Sequence, residues 1–385
     1  MTQDIAYIPR LLPIHTLLRE KSYFLLGPRQ TGKTSLATAT LKDARVYDLL
    51  ESTTYINLSQ NPARLEEELT PHDRIVVIDE IQRLPQLLHE VHRLIEKKRV
   101  RFLLTGSSAR GLRRSGVNLL GGRARTAYLH PFVRAELGGH FKLEKALASG
   151  LLPSIYFSDD SRADLDAYAG TYLQQEVVAE GATRNIPAFS RFLRVAAYCN
   201  ATVVNFTNVA NDAQVPRTTV YEYFEILKDT LMVHELPAWT KSTKRKPLVS
   251  SKFYFFDVGV VASLQGRRFA PGSTEYGEAL ETYLFQELRA HRDYVSAQPI
   301  HFWRSASGYE VDFVLADHTA IEVKAKRVVH EQDIRSLEAL ADERKLKNYL
   351  CVCLESRPRT VRKVQILPYA MFLDRLWAGE FMSTR

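Results

Sequence analysis

Short apolar runs separated by amphipathic stretches open the chain. Residues 23–26 and 75–78 are wholly apolar and residues 101–104 nearly so, without the alternation of a half-exposed strand. Continuous runs of this kind are typical of strands buried on both faces of a parallel sheet, with helices as the connections. We therefore expect residues 1–135 to form an α/β domain, and residues 136–187 to form a helical lid beside it.

The apolar pattern becomes helical in the middle of the chain. From residue 188 onward apolar residues recur at three- and four-residue spacing. A short helix over 208–213 is followed by a longer one that starts at Pro216 and buries Val220, Phe224 and Leu227. Short helix, turn and longer helix form the helix-turn-helix pattern, and the alternation over 231–236 is typical of a wing strand. We predict a winged-helix domain over residues 188–240.

Residues 241–385 return to mixed α/β patterning. Residues 276–290 have helical periodicity, while 309–315 and 320–325 alternate apolar and charged residues on either side of the turn 317–319. Two alternating segments joined by a short turn predict a β-hairpin. Because strand side chains alternate between faces, Glu310 and Asp312 should share one face, and Glu322 and Lys324 should lie together on the second strand.

Length and composition narrow the class of protein. The chain has 385 residues, 45% of them apolar and 25% charged, which favours two or three water-soluble domains. No apolar run approaches the roughly 20 residues of a membrane span, and residues 1–10 lack a signal-peptide core, so we expect a cytoplasmic protein without membrane contact. The net charge of +8 permits a nucleic-acid partner.

A phosphate-binding loop follows the first apolar run. Residues 27–34 read G-P-R-Q-T-G-K-T, which is the G-x-x-x-x-G-K-[ST] motif placed between a predicted strand and a predicted helix. Its backbone amides can face phosphates, Lys33 is expected to reach the β- and γ-phosphates, and Thr34 to ligate Mg²⁺. The residues predicted to bind ATP are Gly27, Pro28, Gln30, Thr31, Gly32, Lys33, Thr34 and Ser35.

Two carboxylates end the second apolar run, and a polar segment ends the third. Ligands bind at the carboxyl ends of strands in open α/β sheets, so Asp79 and Glu80 should meet the phosphates. We expect Asp79 to hold Mg²⁺ through water and Glu80 to activate or orient the attacking water. Ser107 is the predicted sensor of the γ-phosphate.

Four arginines in the next segment are candidates for an arginine finger acting on a neighbouring subunit. They are Arg113, Arg114, Arg123 and Arg125. We select Arg123, although a solvated basic loop is an equal alternative for any one of them.

Several motifs together resemble a large bacterial and archaeal family of AAA-type ATPases that carry a conserved C-terminal domain of unknown function. The resemblance starts with the phosphate-binding loop, Asp79 and Glu80, T-G-S-S at 105–108 and L-H-P-F at 129–132, and continues through segments 171–173, 219–229, 253–259 and 310–313. It implies ATP hydrolysis with Mg²⁺ at a site that an adjacent subunit completes, hence a homo-oligomeric ring, most simply a hexamer. Two departures are Gln175–Glu176, where the family has an Arg-Asp pair, and G-L-L-P at 150–153, where it has Gly-Gly before a Pro.

The charged face of the C-terminal hairpin matches the D…(D/E)-x-K arrangement of restriction-endonuclease-like folds. Asp312 and Glu322 are candidate metal ligands, Lys324 is the candidate activating base or phosphorane stabiliser, and Glu281 on the preceding helix is a candidate accessory acid. An amphipathic surface hairpin is the alternative. Such a domain cleaves DNA, or keeps the metal residues and only grips it.

Candidate DNA contacts lie in the middle of the chain. Arg217, Thr218 and Thr219 should occupy the exposed start of the second helix of the helix-turn-helix, where such helices meet phosphates and base edges. The run Lys241, Lys244, Arg245 and Lys246 follows. A rigid spacer or subunit contact, and a solvated loop, are the respective alternatives.

These patterns predict a P-loop ATPase domain with a helical lid, a winged helix and a restriction-endonuclease-like domain at residues 241–385, and the resemblance implies that the ATPase is of the AAA type. The expected function is an ATP-driven motor or switch that binds and remodels branched or damaged DNA. A metal-dependent nuclease licensed by ATP, and a nucleotide-gated regulator without motor activity, are the alternatives.

Overall fold

A computed structural model describes residues 7–108, 110, 120–172, 185–269 and 271–381. Of the residues discussed above, Arg113, Arg114, Leu173, Gln175 and Glu176 lie outside the described residues. No helix in the described part of the chain has the length and apolar character needed to cross a membrane.

The N-terminal region is built on a five-stranded parallel sheet with the order β2-β3-β4-β1-β5. Phe24 and Leu26 pack into one core below the sheet, and Tyr23 and Leu25 into a second core above it, which explains why the strand is a continuous apolar run. The strands are β1 (Ser22–Leu26), β2 (Arg45–Asp48), β3 (Ile75–Asp79), β4 (Arg101–Gly106) and β5 (Ala124–Tyr128).

Among the described residues of this region, five α-helices accompany the sheet. They are α1 (Ile14–Glu20), α2 (Lys33–Thr40), α3 (Ser52–Gln60), α4 (Arg64–Glu67) and α5 (Leu87–Lys98). β1 pairs with β4 so that Leu26 lies beside Gly106, and β4 pairs with β3 so that Leu104 lies beside Ile78. This register brings the carboxyl ends of the three predicted strands to one edge of the sheet, where α2 begins.

The next region is mainly helical. It contains α6 (Arg134–Leu137), α7 (Leu143–Ser149), α8 (Pro153–Tyr156), α9 (Ser161–Ala167), α10 (Ile186–Tyr198), α11 (Phe206–Ala213) and α12 (Arg217–Asp229). A three-stranded antiparallel sheet of order β6-β8-β7 packs with the last three helices; its strands are β6 (Thr202–Val203), β7 (Val233–Leu236) and β8 (Lys252–Phe255). The boundary predicted at residue 240 separates β8 from the two strands with which it pairs.

Helix α13 (Val258–Gln265) follows β8 and packs against α7 of the predicted lid. Asp257 caps this helix and also accepts a hydrogen bond from the backbone N–H of Leu151 at 2.7 Å. Glycine is required at two positions here. A Cβ on Gly150 (φ +71°) would lie 2.0 Å from Asp257 Oδ1, and a Cβ on Gly259 would lie 2.5 Å from the backbone nitrogen of Gly150. The lid turn and the segment after β8 are therefore packed together without space for a side chain.

The C-terminal region surrounds a six-stranded mixed sheet of order β13-β14-β12-β11-β10-β9. Helix α14 (Thr274–His291) precedes β9 (Ile300–Arg304), β10 (Glu310–Leu315) and β11 (Thr319–Lys324). Strand β10 pairs antiparallel with β9 on one side and with β11 on the other, and β10 and β11 form the predicted hairpin. Then come α15 (Arg335–Ala341), β12 (Asn348–Cys353), β13 (Arg359–Val361), β14 (Val364–Pro368) and α16 (Tyr369–Trp377), with β12 parallel to β11 and to β14.

One continuous apolar core joins the lid, the middle region and the C-terminal helix α14. Leu147 of α7, Phe224 of α12 and Tyr283 of α14 all belong to it, and each is at most 3% exposed. These three regions are therefore packed as one body around shared side chains, and the cores above and below the five-stranded sheet are separate.

Candidate functional site

The phosphate-binding loop lies between β1 and α2, as the motif predicts. Gly32 has φ +91°, a left-handed conformation that favours glycine, and a Cβ on Gly27 would lie 2.3 Å from the carbonyl oxygen of Leu129. The buried Lys33 ammonium donates to the carbonyl oxygens of Gly27 at 2.8 Å and Pro28 at 3.1 Å. The loop thus folds around its own lysine at the amino end of a helix, which is a geometry suited to anions.

Asp79 is the centre of the hydrogen bonds behind the loop. It is 3% exposed, its Oδ2 accepts from the Thr34 hydroxyl at 2.6 Å, and its Oδ1 accepts from the Thr105 hydroxyl. Thr105 also accepts from the backbone N–H of Glu80 at 3.1 Å. A hydroxyl and a carboxylate side by side are the hard oxygen ligands that Mg²⁺ prefers, so Thr34 and Asp79 fit the predicted metal.

Glu80 takes its position from Gln82. Glu80 has φ +59°, which is uncommon for a residue with a side chain, and Gln82 Nε2 donates to its Oε2 at 2.5 Å. The same nitrogen lies 3.3 Å from Ser107 Oγ. No motif in the sequence singles out Thr105 or Gln82. Ser107, the predicted sensor, contacts Gln82, whereas Thr105 contacts Asp79 directly.

Two cavities adjoin at the start of α2, and both are lined by Gly32 and Ser35. The first, of about 250 Å³, is the polar one, lined also by Arg29, Gln30, Lys33, Thr34, Leu50 and Glu80. The second, of about 220 Å³, is lined also by Tyr7, Ile8, Arg10, Phe132, Pro153, Ser154 and Phe157. A charged compartment beside an aromatic one matches a ligand with a phosphate chain and a flat base.

Pro28 and Thr31 support the loop: Thr31 Oγ1 donates to the Pro28 carbonyl at 2.8 Å.

Arg10 is a further residue that the motifs did not indicate. Its guanidinium donates to the carbonyl oxygens of Thr31 and His130, both at 2.6 Å, and forms an ion pair with Glu136 at 3.0 Å. The side chains of this pair are 3% and 0% exposed. Arg10 therefore fixes the phosphate-binding loop to the segment that follows β5, using contacts up to 126 positions apart that no local pattern contains.

The two arginine-finger candidates that the structure describes, Arg123 and Arg125, each form an ion pair within the same chain. Arg123 pairs with Glu96, and Arg125 pairs with Glu20 at 3.1 Å, all with side chains more than one-third exposed. Exposed pairs of this kind contribute little to stability, so Arg123 can exchange its partner at small cost.

The predicted DNA contacts differ in their surroundings. Arg217, Thr218 and Thr219 start α12, with the first two exposed, as expected. The basic run lies in the loop between β7 and β8, which is bound to the C-terminal region. The Glu343 carboxylate accepts from the backbone N–H groups of residues 243, 244 and 245, and Lys241 pairs with Asp317 at 2.5 Å. Lys244 and Arg245 donate to carbonyl oxygens at 2.6 and 2.7 Å, whereas Lys246 stays exposed.

The four nuclease-like residues come together where α14 meets the interior strands β10 and β11 of the C-terminal sheet. Lys324 pairs with Glu322 at 2.6 Å, Asp312 Oδ2 accepts from the backbone N–H of Val323 at 2.8 Å, and Glu281 accepts from the Tyr254 hydroxyl at 2.6 Å. Burial raises the pKa of Glu322 to about 7, and burial with the nearby Glu281 and Glu322 carboxylates raises the pKa of Asp312. In the described part of the chain, no three His, Cys, Asp or Glu side chains are grouped as metal ligands.

Family models match three successive parts of the chain: an AAA domain over residues 19–138, a domain of unknown function (DUF8612) over 140–270, and a domain of unknown function (DUF4143) over 276–372. The N-terminal region is thus a P-loop domain of the AAA type. It is followed by two domains whose function is not known.

The chain is 26% identical over 306 residues to the uncharacterized proteins Mb2031c of Mycobacterium bovis and Rv2008c of Mycobacterium tuberculosis, which covers 77% of this chain and 68% of each relative. Among solved structures, the replication initiator DnaA bound to AMPPCP and single-stranded DNA matches with 12% identity and a TM-score of 0.30, over 58% of this chain and 90% of that one.

Proposed function

We propose that the protein is an ATPase that uses Mg²⁺ and acts as a switch on DNA. The observation that carries the first part is Asp79, shared between Thr34 of the phosphate-binding loop and Thr105 of β4, with Glu80 beside it at the edge of the 250 Å³ cavity. This arrangement combines a loop for phosphates, oxygen ligands for a cation and a carboxylate for water in one site.

ATP would occupy both adjoining cavities. Its phosphates would replace the Gly27 and Pro28 carbonyls as partners of the Lys33 ammonium, and its base would lie among Tyr7, Phe132 and Phe157. Mg²⁺, held by Thr34 and Asp79, would neutralise phosphate charge. Arg10, whose guanidinium holds the loop carbonyl of Thr31, would keep the base compartment and the phosphate compartment in a fixed relation.

Glu80 is the proposed group that orients the attacking water. Its left-handed backbone and its 2.5 Å contact with Gln82 hold the carboxylate beside the cavity, and Gln82 is a positioning residue that also reaches Ser107. Ser107 would then respond to the γ-phosphate through Gln82. A ring in which Arg123 of one subunit completes the site of the next accords with its exposed and exchangeable ion pair.

The DNA part of the proposal depends on the middle and C-terminal regions. The order α10, β6, α11, α12, β7, β8 supports a winged helix, in which α12, with Arg217 and Thr218 exposed at its start, would be the recognition helix. The order α14, β9, β10, β11, α15, β12, with Asp312, Glu322 and Lys324 together, supports a restriction-endonuclease-like domain. We favour gripping over cleavage, because Glu322 already pairs with Lys324 at 2.6 Å and Asp312 lies 3.8 Å from the buried ammonium of Lys252, the first residue of β8.

The test is the ATPase rate measured with Mg²⁺ against single-stranded, forked and four-way DNA. Stimulation by one of these structures, lost in Glu80→Gln, is expected. Arg217→Gln should weaken DNA binding and reduce the salt dependence by about one unit of slope, while the DNA-independent ATPase rate stays unchanged. ATPase activity without DNA binding at low salt would instead favour the nucleotide-gated regulator, and Mg²⁺-dependent cleavage lost in Asp312→Ala would favour the nuclease.

A further inference from the structure

A row of cations lies at the amino ends of the five parallel strands, on the side of the sheet opposite the phosphate-binding loop. Each strand has a basic residue at its first position or immediately before it. In the sheet order β2-β3-β4-β1-β5 these residues are Arg45, Arg74, Arg101, Lys21 and Arg123. Neighbouring strands lie about 4.8 Å apart, so the row extends over roughly 19 Å.

The end of helix α5 widens this row. Lys97 and Lys98 are its last two residues, and Arg99 (φ +55°) follows them, two positions before β4. The helix dipole stabilises cations in the last turn of a helix, which gives Lys97 and Lys98 a structural reason to be basic. That reason does not extend to Arg45 and Arg74, which do not directly follow a helix.

We call these residues the cationic edge, leaving out Arg123 because of the role proposed for it at a neighbouring nucleotide. The members of the cationic edge are Lys21, Arg45, Arg74, Lys97, Lys98, Arg99 and Arg101.

Acids of the same chain neutralise only part of the cationic edge. Arg45 pairs with Asp73 at 3.2 Å, and Lys98 lies 3.4 Å from Glu66, which also pairs with Arg93. Among the residues that the structure describes, the other five side chains form no hydrogen bond or ion pair; they are Lys21 and Arg101, which are half-buried, and Arg74, Lys97 and Arg99, which are exposed. The carboxylates Asp48 and Asp79 end β2 and β3 at the opposite edge. The two ends of the sheet therefore differ in charge.

A cavity of about 320 Å³ opens at the cationic edge, and Arg74, Lys98 and Arg99 line it together with Asp73 and the turn at 69–71. The Asp73 carboxylate accepts from the backbone N–H of Thr70 at 2.7 Å and from its hydroxyl at 2.8 Å. Because this acid is engaged by Thr70 and Arg45, the two arginines of the cavity remain available to an anion. Guanidinium groups bind phosphate oxygens through paired hydrogen bonds.

We propose that the cationic edge binds the sugar–phosphate backbone of double-stranded DNA, with one phosphate group in the cavity between Arg74 and Arg99. A duplex carries one negative charge per 1.7 Å of its axis, so a length of roughly 19 Å presents about eleven phosphates on its two strands. Contacts of cations with the backbone carry no sequence information, so this binding should be independent of sequence.

A lipid surface fits the cationic edge less well than DNA does. Binding to a membrane surface needs an apolar face beside the charges. In the described part of the chain, Val46 is the one exposed large apolar residue adjacent in sequence to a member of the cationic edge. The surface goes beyond the proposed function, which assigns DNA to the middle and C-terminal regions, because it lies on the ATPase domain itself.

The test measures the fluorescence anisotropy of a short labelled DNA duplex, with the full-length protein, without nucleotide and over a range of salt concentrations. The edge variant combines Arg74→Gln, Lys97→Gln and Arg99→Gln. It should bind more weakly, and the slope of log affinity against log salt should fall by about three units, since each phosphate contact contributes about 0.9. Its ATPase rate without DNA should be unchanged.

A matched control removes three exposed cations from the C-terminal region, by combining Arg344→Gln, Lys345→Gln and Lys363→Gln. It loses the same net charge as the edge variant and should bind the duplex with the wild-type slope. An equal loss of slope in the two triple variants would overturn the proposal, because net charge alone would then explain the binding.

Arg217→Gln separates the cationic edge from the predicted winged helix. A loss of affinity in the edge variant alone would support the cationic edge and remove α12 from the DNA part of the proposed function. A loss in Arg217→Gln alone would overturn the cationic edge and leave the proposed function intact. Vesicles containing phosphatidylserine test the lipid alternative: an edge variant that loses vesicle binding and keeps DNA binding would also overturn the proposal.

A measurement on wild type covers the case in which the edge variant does not fold. Acetylation followed by mass spectrometry should modify Lys97 more slowly when the duplex is added, because the DNA backbone covers it. Lys363, exposed in the turn between β13 and β14, should be modified at the same rate with and without DNA. A rate at Lys97 that does not change on adding saturating duplex would overturn the proposal.

Discussion

Replacing Thr105 by valine tests the hydrogen bonds that position the carboxylates of the nucleotide site. Valine keeps the branched shape of threonine and removes only the hydroxyl. Thr105 is fully buried, and its hydroxyl donates to Asp79 and accepts from the backbone N–H of Glu80 at 3.1 Å. The change therefore leaves a charged oxygen of Asp79 and a backbone N–H without their partner.

The size of the effect follows from those two contacts. A hydrogen bond to a charged group contributes about 1.5–3 kcal/mol. If that energy is lost from the transition state of hydrolysis, at about 1.4 kcal/mol per factor of ten, kcat should fall roughly 10- to 150-fold. The Mg²⁺ concentration needed for half-maximal rate should also rise, because Asp79 shares its other oxygen with Thr34.

The assay is phosphate release at saturating ATP over a range of Mg²⁺ concentrations, with the folded state checked by thermal melting. Ser107→Ala is the matched control on the same strand end, since Ser107 contacts Gln82 at 3.3 Å and does not contact Asp79 in the structure. It should lower kcat less and leave the Mg²⁺ requirement unchanged. A wild-type kcat in Thr105→Val, or a larger loss in Ser107→Ala, would refute the assignment of Thr105.

Three other expectations follow from the structure. Lys33→Ala should abolish binding of a fluorescent ATP analogue, whereas Glu80→Gln should bind it normally and hydrolyse ATP poorly; wild-type hydrolysis in Glu80→Gln would contradict the role given to this carboxylate. Arg123→Ala should lower turnover with little change in ATP affinity, and mixing it with Glu80→Gln subunits should restore activity if the arginine acts across subunits; mixed oligomers that stay inactive would speak against this. Burial raises the pKa of Glu287 from its usual 4.5 to about 7. The protonated carboxyl therefore contributes its full amount to the free energy of unfolding below pH 4.5, and this contribution is lost as the pH rises through about 7. Glu287→Gln should flatten the fall in unfolding free energy across this range by up to about 1.4 kcal/mol per pH unit, and an unchanged pH profile from thermal melting would show that Glu287 does not titrate there.

The nucleotide site could be predicted largely from the sequence because its parts are local. The loop motif fixes Lys33 and Thr34 relative to α2, and the apolar run before Asp79 fixes that residue at a strand end. Local sequence does not show which of Thr105 and Ser107 contacts Asp79. Strand β4 extends to Gly106, so Thr105 is still within the strand, where pairing with β3 brings its hydroxyl to Asp79. The apolar pattern predicts the strand but does not predict the residue at which it ends.

The positions of Asp312 and Glu322 could be predicted for a similar reason. The lysine that lies among them, Lys252, could not. Alternation along two strands is enough to put Asp312 beside Glu322, since a hairpin fixes their register. Lys252 lies 58 residues before Glu310, in a segment whose pattern predicts only a strand, and its position depends on how two sheets pack. Buried lysines are rare in strands, so the composition of residues 252–255 was itself a signal.

The position of β8 connects the two candidate sites physically. Pro153, Ser154 and Phe157 of the lid line the cavity assigned to the base, and Leu151 just before them donates its N–H to Asp257. Asp257 lies five residues after Lys252, and the glycines at 150 and 259 leave no space for the lid turn to slide past it. A lid that moves on nucleotide binding must therefore either break the buried Asp257 contact or carry β8 with it. Breaking it would leave a buried carboxylate with one hydrogen-bond partner fewer, and carrying β8 would draw the Lys252 ammonium away from Glu281, Glu310 and Asp312, so either movement costs buried polar contacts.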